Sequence, residues 1–102
     1  MNDTVREWVD KAEGDYRTAG RELGAPDFPN YDAVCFHAQQ CIEKSMKALL
    51  IDKGVSPQRV HDLAFLASAL TGVFPEWSWP NEELRALSRS AVEFRYPGNP
   101  AS

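Results

Sequence analysis

The chain has 102 residues, of which 43% are hydrophobic and 25% charged, and a formal net charge of −4 at pH 7. This length supports one small domain, expected to span residues 1–102, and the composition is typical of a folded globular chain rather than a disordered or fibrous one. The acidic balance argues against a protein that binds nucleic acid through overall basicity, so polynucleotide binding would need a local site.

The first predicted element is an amphipathic helix over residues 4–23, where apolar residues recur every three or four positions. Thr4 followed by Glu7 fits a capping box at its start. Gly24 and Pro26 end the pattern.

A second and longer helix is predicted over residues 31–53, with Gly54 as its C-terminal cap. Apolar residues lie on more than one side of it. We therefore expect this helix to contact several neighbours or a partner chain.

Two further helices complete the pattern. Asp62 is placed to cap a third helix that Gly72 ends, and Asn81 is placed to cap a fourth. No segment alternates convincingly as a strand, and the tail after residue 94 contains two prolines and a glycine. The sequence predicts an all-α fold, an up-and-down antiparallel bundle of four main helices.

A polar ridge follows the second helix, where His37, Gln40, Lys44 and Lys47 recur at helical spacing. Glu43 lies beside the ridge and can pair with Lys47 at i, i+4. The ridge is either a solvated face with exposed ion pairs or a row of donors suited to phosphate oxygens. The residues alone leave both interpretations open.

Two other segments present the same alternative. In one interpretation His61 is a loop histidine and Asp62 a helix cap. In the other, a neighbouring carboxylate sets the tautomer and charge of His61 near a helix N-terminus, where anions bind. Arg95 and Tyr96 either cover the bundle or supply a phosphate-binding guanidinium and a base-stacking ring. With two histidines in the chain, no metal-ligand spacing at its cysteines and no Gly-rich phosphate loop, we expect no metal site and no cofactor.

The segments FHAQQCIEKSMKALL (36–50), VHDLAFLASAL (60–70) and EFRYP (93–97), in this order, resemble the HEPN domain family. The resemblance runs from about residue 5 to residue 97. The matching positions are Gln40, Glu43, Lys44, Lys47, Ala48, His61, Asp62, Leu63, Arg95, Tyr96 and Pro97. It implies a HEPN-like helical bundle that forms homodimers and is often encoded beside a minimal nucleotidyltransferase (MNT). Many such pairs act as toxin and antitoxin, the HEPN member being an RNase whose active site is shared across the dimer.

The chain departs from the family's RNase members, which carry an Arg followed four to six residues later by a His. Arg59 and His61 are too close, and no histidine follows Arg95. An Arg without that histidine stabilises charge but does not move a proton near neutral pH. The helix that follows the RYP segment in many members is expected to be missing after about residue 97.

Three functions follow from these observations. The first is a cytoplasmic homodimer, without a membrane segment, that pairs with an MNT protein in a toxin–antitoxin-like system and binds nucleotide or RNA. Its predicted binding residues are Gln40, Lys44, Lys47, His61, Arg95 and Tyr96. The second is a metal-independent endoribonuclease toxin, with Arg95 on the phosphate and His61 as acid or base. The third is a non-catalytic interaction partner, with Trp77 and Trp79 as interface anchors or as a cover for the end of the bundle.

Overall fold

The computed structural model of the chain describes residues 2–93, and side chains as far as residue 90. These residues form four helices and no strand: α1 (Asp3–Leu23), α2 (Tyr31–Asp52), α3 (Leu63–Val73) and α4 (Asn81–Glu93). The predicted all-α antiparallel bundle of four main helices is confirmed. Among the described residues, no helix has both the length and the apolar composition of a membrane span.

Short polar side chains that accept free backbone N–H groups set the starts of α1, α2 and α3, whereas Asn81, predicted to cap the fourth helix, is the first residue of α4. Asn2 caps α1, its Oδ1 accepting from Val5 N–H at 2.8 Å. The capping box predicted at Thr4 is wrong, because Asn caps at least as well as Thr and stands two residues earlier. Asn30 caps α2, and Asp62 caps α3 as predicted.

Gly54 forms the C-terminal capping motif of α2, as the sequence predicts. Gly54 has a φ of 77°, a left-handed conformation that favours glycine. Its N–H donates to the Ile51 carbonyl at 2.9 Å, and the Val55 N–H donates to the Leu50 carbonyl at 2.9 Å. These two bonds form a Schellman motif, which satisfies carbonyls left free at the helix end.

Helix α2 is the centre of the bundle. It packs against α1, α3 and α4, and α3 packs against α4, whereas no described residue of α1 contacts α3 or α4. The buried core joins three helices through Met46, Leu50, Leu63, Leu66, Ala67, Leu70 and Leu84. The expectation that the second helix contacts several neighbours is confirmed, and α1 is held by α2 alone within the described residues.

Candidate functional site

A first polar cluster ties α1 to α2 through the carboxylate of Asp15. Nζ of Lys44 donates to Oδ2 of Asp15 at 2.6 Å, and Nδ1 of His37 lies 2.8 Å from Oδ1. The Asp15 side chain is only 11% exposed. Its two oxygens therefore each hold one basic side chain of α2.

A second cluster ties α2 to the segment before α3 through the carboxylate of Glu43, whose side chain is only 4% exposed. Nε2 of Gln39 and Nζ of Lys47 each donate to it at 2.9 Å. Nδ1 of His61 lies 3.1 Å from both carboxylate oxygens. The predicted pairing of Glu43 with Lys47 is confirmed, but the pair is buried rather than solvated.

Gln39 connects the second cluster to the backbone. Its amide nitrogen also donates to the main-chain carbonyl of His61 at 2.9 Å, and its amide oxygen accepts from Nε2 of Gln40 at 2.9 Å. Gln39 is buried and its hydrogen-bonding groups are engaged on both sides. Sequence reasoning passed over this residue, although its spacing of four from Glu43 is a signal for an amide–carboxylate pair on a helix.

Both carboxyl groups are held in the ionised form. Burial raises the pKa of Glu43, but hydrogen bonds from Gln39, Lys47 and His61 and the charge of Lys47 outweigh it, so this pKa lies below the ordinary value. Burial likewise raises the pKa of Asp15, and its partners in the first cluster lower it further than burial raises it. At neutral pH each cluster therefore contains a carboxylate that can only accept hydrogen bonds.

The two lysines of the ridge are not free cations. The Lys47 side chain is 8% exposed, and its ammonium lies 5.8 Å from the ring centroid of Trp8, within the range of a cation–π contact. The Lys44 side chain is 22% exposed and bound to Asp15. An incoming phosphate would have to compete with a carboxylate at either lysine.

The six predicted binding residues fall into three groups. Lys47 and His61 share Glu43, and Gln40 adjoins them through Gln39. Lys44 belongs to the first cluster. Arg95 and Tyr96 lie outside the described residues. Among the described ones, His61 is the most exposed, with 78% of its side chain open to solvent.

The N-terminus of α3 is occupied by the chain's own carboxylate. Oδ1 of Asp62 accepts from Ala64 N–H at 2.9 Å and from Phe65 N–H at 3.4 Å. The N–H of Leu63 donates to Oγ of Ser88 at 3.1 Å. This helix end therefore offers an anion few free donors, and binding near His61 has to rely on side chains.

The two predicted interface anchors have different environments. Trp79 packs against the hydrophobic core, as a cover for the bundle does. Trp77 is 42% exposed and stacks on Phe74 with ring centroids 4.0 Å apart. Trp77 is therefore the more available of the two for an external contact.

Fold and site together define a small helical bundle with two largely buried carboxylates, Asp15 on α1 and Glu43 on the central helix, each in contact with a histidine and a lysine. A comparison with family models matches residues 5–101 to the HEPN domain, and the chain belongs to that family. The resemblance noted in the sequence is thus confirmed. The comparisons with curated proteins and with solved structures give no match.

Proposed function

We propose that this HEPN-domain chain is a homodimer that binds nucleotide or RNA beside Glu43 and pairs with a minimal nucleotidyltransferase in a toxin–antitoxin-like system. The observation that carries the ligand part is the convergence of Gln40, Lys47 and His61, from two separate segments, on one buried carboxylate network. Imidazole and amide groups fixed at a surface are suited to hydrogen bonding with phosphate and sugar oxygens. The outermost of these groups is the imidazole of His61.

The homodimer part is supported by an apolar groove between α1 and α2. The groove has a volume of about 680 Å³, and its lining includes Tyr16, Leu23, Val34 and Ile42. Tyr16 and Leu23 are 71% and 58% exposed. Exposed apolar side chains grouped along a groove mark an association surface, and a second copy of this chain is the occupant we propose.

Light scattering tests the homodimer. The wild type is expected to have the mass of a dimer, and Tyr16→Lys is expected to shift it to a monomer, because a charge would enter the interface. Phe65→Lys is the matched control, since Phe65 is 44% exposed but lies on α3, away from the groove. A monomeric wild type, or equal behaviour of the two variants, would contradict the assignment.

Partner and ligand are tested together by purifying the tagged chain from its native host. Mass spectrometry of the co-purifying proteins and extraction of bound nucleotides or RNA are expected to yield a nucleotidyltransferase and a phosphate-containing ligand. His61→Asn is the matched variant for the ligand, and it should retain the partner while losing the bound nucleotide or RNA. Recovery of neither from the wild type would refute the proposal.

A second candidate is a metal-independent endoribonuclease. The observation that favours it is the contact between Nδ1 of His61 and Glu43, because a carboxylate-oriented imidazole is the usual general acid or base. Incubation with total RNA, beside His61→Ala and Arg95→Ala, tests it. Degradation by the wild type alone supports the activity; equal degradation by all three indicates a contaminant, and none by any of them rules the activity out.

A further inference from the structure

The hydrogen-bonding role of Nδ1 of His61 is fixed by the group it faces. Glu43 is an ionised carboxylate that already accepts from Gln39 and Lys47 at 2.9 Å. It has no proton to give, so the nitrogen that lies 3.1 Å from both its oxygens, Nδ1 of His61, must be the donor. The remaining ring nitrogen, Nε2, is then an acceptor in the neutral imidazole and carries a proton that it can donate in the imidazolium.

Nε2 lies on the side of the His61 ring away from Glu43. Nδ1 is turned to a carboxylate that is 4% exposed, while 78% of the His61 side chain is open to solvent. The opposite side of the ring, which carries Nε2, is therefore the solvent-facing side. A ligand that reaches this surface meets Nε2 before it meets the more buried ammonium of Lys47, whose side chain is 8% exposed.

The contact between Nδ1 of His61 and Glu43 is not needed to hold the segment before α3 against α2. The main chain at residue 61 is already bound to α2, because the amide of Gln39 donates to the His61 carbonyl at 2.9 Å. The contact between Nδ1 and Glu43 adds the orientation of the ring. Holding an exposed side chain in one orientation lowers the entropy lost when a ligand binds to it.

We infer that Glu43 is a positioning residue that holds Nε2 of His61 toward a phosphate oxygen of the ligand, to which the imidazolium donates through its Nε2–H, and that Lys47 is the counter-charge of Glu43 rather than a phosphate ligand. This inference rests on the proposed function, in which nucleotide and RNA are the two sources of phosphate. It departs from the sequence analysis, which places Lys47 beside His61 among the predicted binding residues and gives Glu43 only as a partner for Lys47.

Binding measurements separate a phosphate contact made by His61 from one made by Lys47. Glu43→Gln should weaken binding in the first case and strengthen it in the second. The probes are ATP and a short single-stranded RNA, measured by titration calorimetry against the wild type, His61→Asn, Glu43→Gln and the double variant. His61→Asn removes the charge-assisted hydrogen bond to the phosphate and Glu43→Gln weakens the contact that orients it, so each single variant should bind about tenfold more weakly. The double variant should bind no more weakly than His61→Asn, because both changes remove the same contact. A loss confined to one probe identifies nucleotide or RNA as the source of the phosphate.

His61→Asn also separates ligand contact from fold maintenance. The Asn amide still donates to Glu43 from about the position of Nδ1 but has no counterpart of Nε2, so the thermal midpoint should stay near that of the wild type while binding falls. Glu7→Gln is the matched control for Glu43→Gln, since it removes the carboxylate of an i, i+4 pair far more exposed than that of Glu43, and it should bind like the wild type. Tighter binding by Glu43→Gln would show that Lys47, released from its carboxylate, binds the phosphate. Unchanged binding by His61→Asn would show that the side chain of His61 only holds the loop before α3 against α2. Either result overturns the inference.

Histidine side-chain ¹H–¹⁵N spectra test the positioning without any ligand. His61 is expected to be protonated at Nδ1 in the wild type, and this preference should weaken in Glu43→Gln. If the wild type binds neither probe, the proposed function and the phosphate contact both fall. The positioning of His61 by Glu43 is then judged on the spectra alone, where a ring protonated at Nε2 and not at Nδ1 would refute it.

Discussion

Lys47→Met should be among the most destabilising single changes on the polar face of α2. Methionine keeps most of the length and apolar volume of the lysine but removes the ammonium, so packing against Trp8 changes little. What is lost is the cation beside Glu43, whose side chain is only 4% exposed. The carboxylate would then be buried without an ammonium beside it.

The size of the effect follows from burial and from the partners that remain. Removing one member of a buried ion pair typically costs 3–5 kcal/mol, because the other charge is left uncompensated. Glu43 keeps its bonds from Gln39 and His61, which places the expected loss near the lower end, at about 3 kcal/mol. At roughly 4–8 °C per kcal/mol for a domain near this size, the thermal midpoint should fall by about 12–24 °C.

The matched exposed pair is Glu7 with Lys11, at the same i, i+4 spacing but with side chains 69% and 60% exposed. Lys11→Met should change the free energy of unfolding by less than about 0.5 kcal/mol. Urea unfolding followed by circular dichroism measures both variants. The double variant Glu43→Gln/Lys47→Met should recover about 2 kcal/mol relative to Lys47→Met, because no charge is left buried without a partner. If Lys47→Met and Lys11→Met have the same stability, Glu43 and Lys47 are not a buried pair and the description of the site is wrong.

Three further predictions test the fold and the clusters. Gly54→Ala should destabilise by about 1 kcal/mol in urea unfolding because of its φ of 77°, whereas Gly14→Ala, in the interior of α1 with open space around it, should stabilise by about 0.5–1 kcal/mol. Leu70→Ala, at a fully buried core position, should lower the free energy of unfolding by about 2–5 kcal/mol, and a loss below 1 kcal/mol would contradict the packing described. Because Asp15 and Glu43 have folded pKa values below their unfolded ones, they contribute stability above the unfolded pKa values that is lost as pH falls through the folded ones. Unfolding measured from pH 7 to pH 3 should therefore show a decline starting below about pH 5, and a shallower one in Asp15→Asn.

The helices could be predicted because their signals are local. Leu63, Leu66 and Leu70 recur in the sequence at helical spacing, which predicts one buried side of α3, and all three are buried. Gly54 likewise predicts the end of α2. The start of α1 was misplaced because Asn2 and Thr4 are both good capping residues within one turn, and only the backbone decides between them. Local signals therefore fix the type of an element better than its first residue.

The site was predictable only where both partners lie on one helix. The spacing of Glu43 and Lys47 predicts their ion pair. No residue near Lys44 in the sequence predicts its contact with Asp15, which is 29 residues away on α1. The contact of His61 with Glu43 spans 18 residues and depends on how the segment before α3 packs against α2. Such contacts follow from helix packing, which residue spacing within one helix does not contain.

These long-range partners change the electrostatics of the ridge. Read as sequence, Lys44 and Lys47 form a cationic row, but in the fold each ammonium is bound to one carboxylate, from Asp15 or Glu43, so the two charges are compensated. Long-range attraction of a polyanion by this face is therefore weak, in keeping with a chain whose net charge is −4. The phosphate binding proposed for this face has to come from short-range hydrogen bonds with fixed direction, and the side chain that is both exposed and held by a carboxylate there is that of His61. In this proposal the carboxylate of Glu43, which orients His61, therefore contributes more to phosphate binding than Lys44 and Lys47 do.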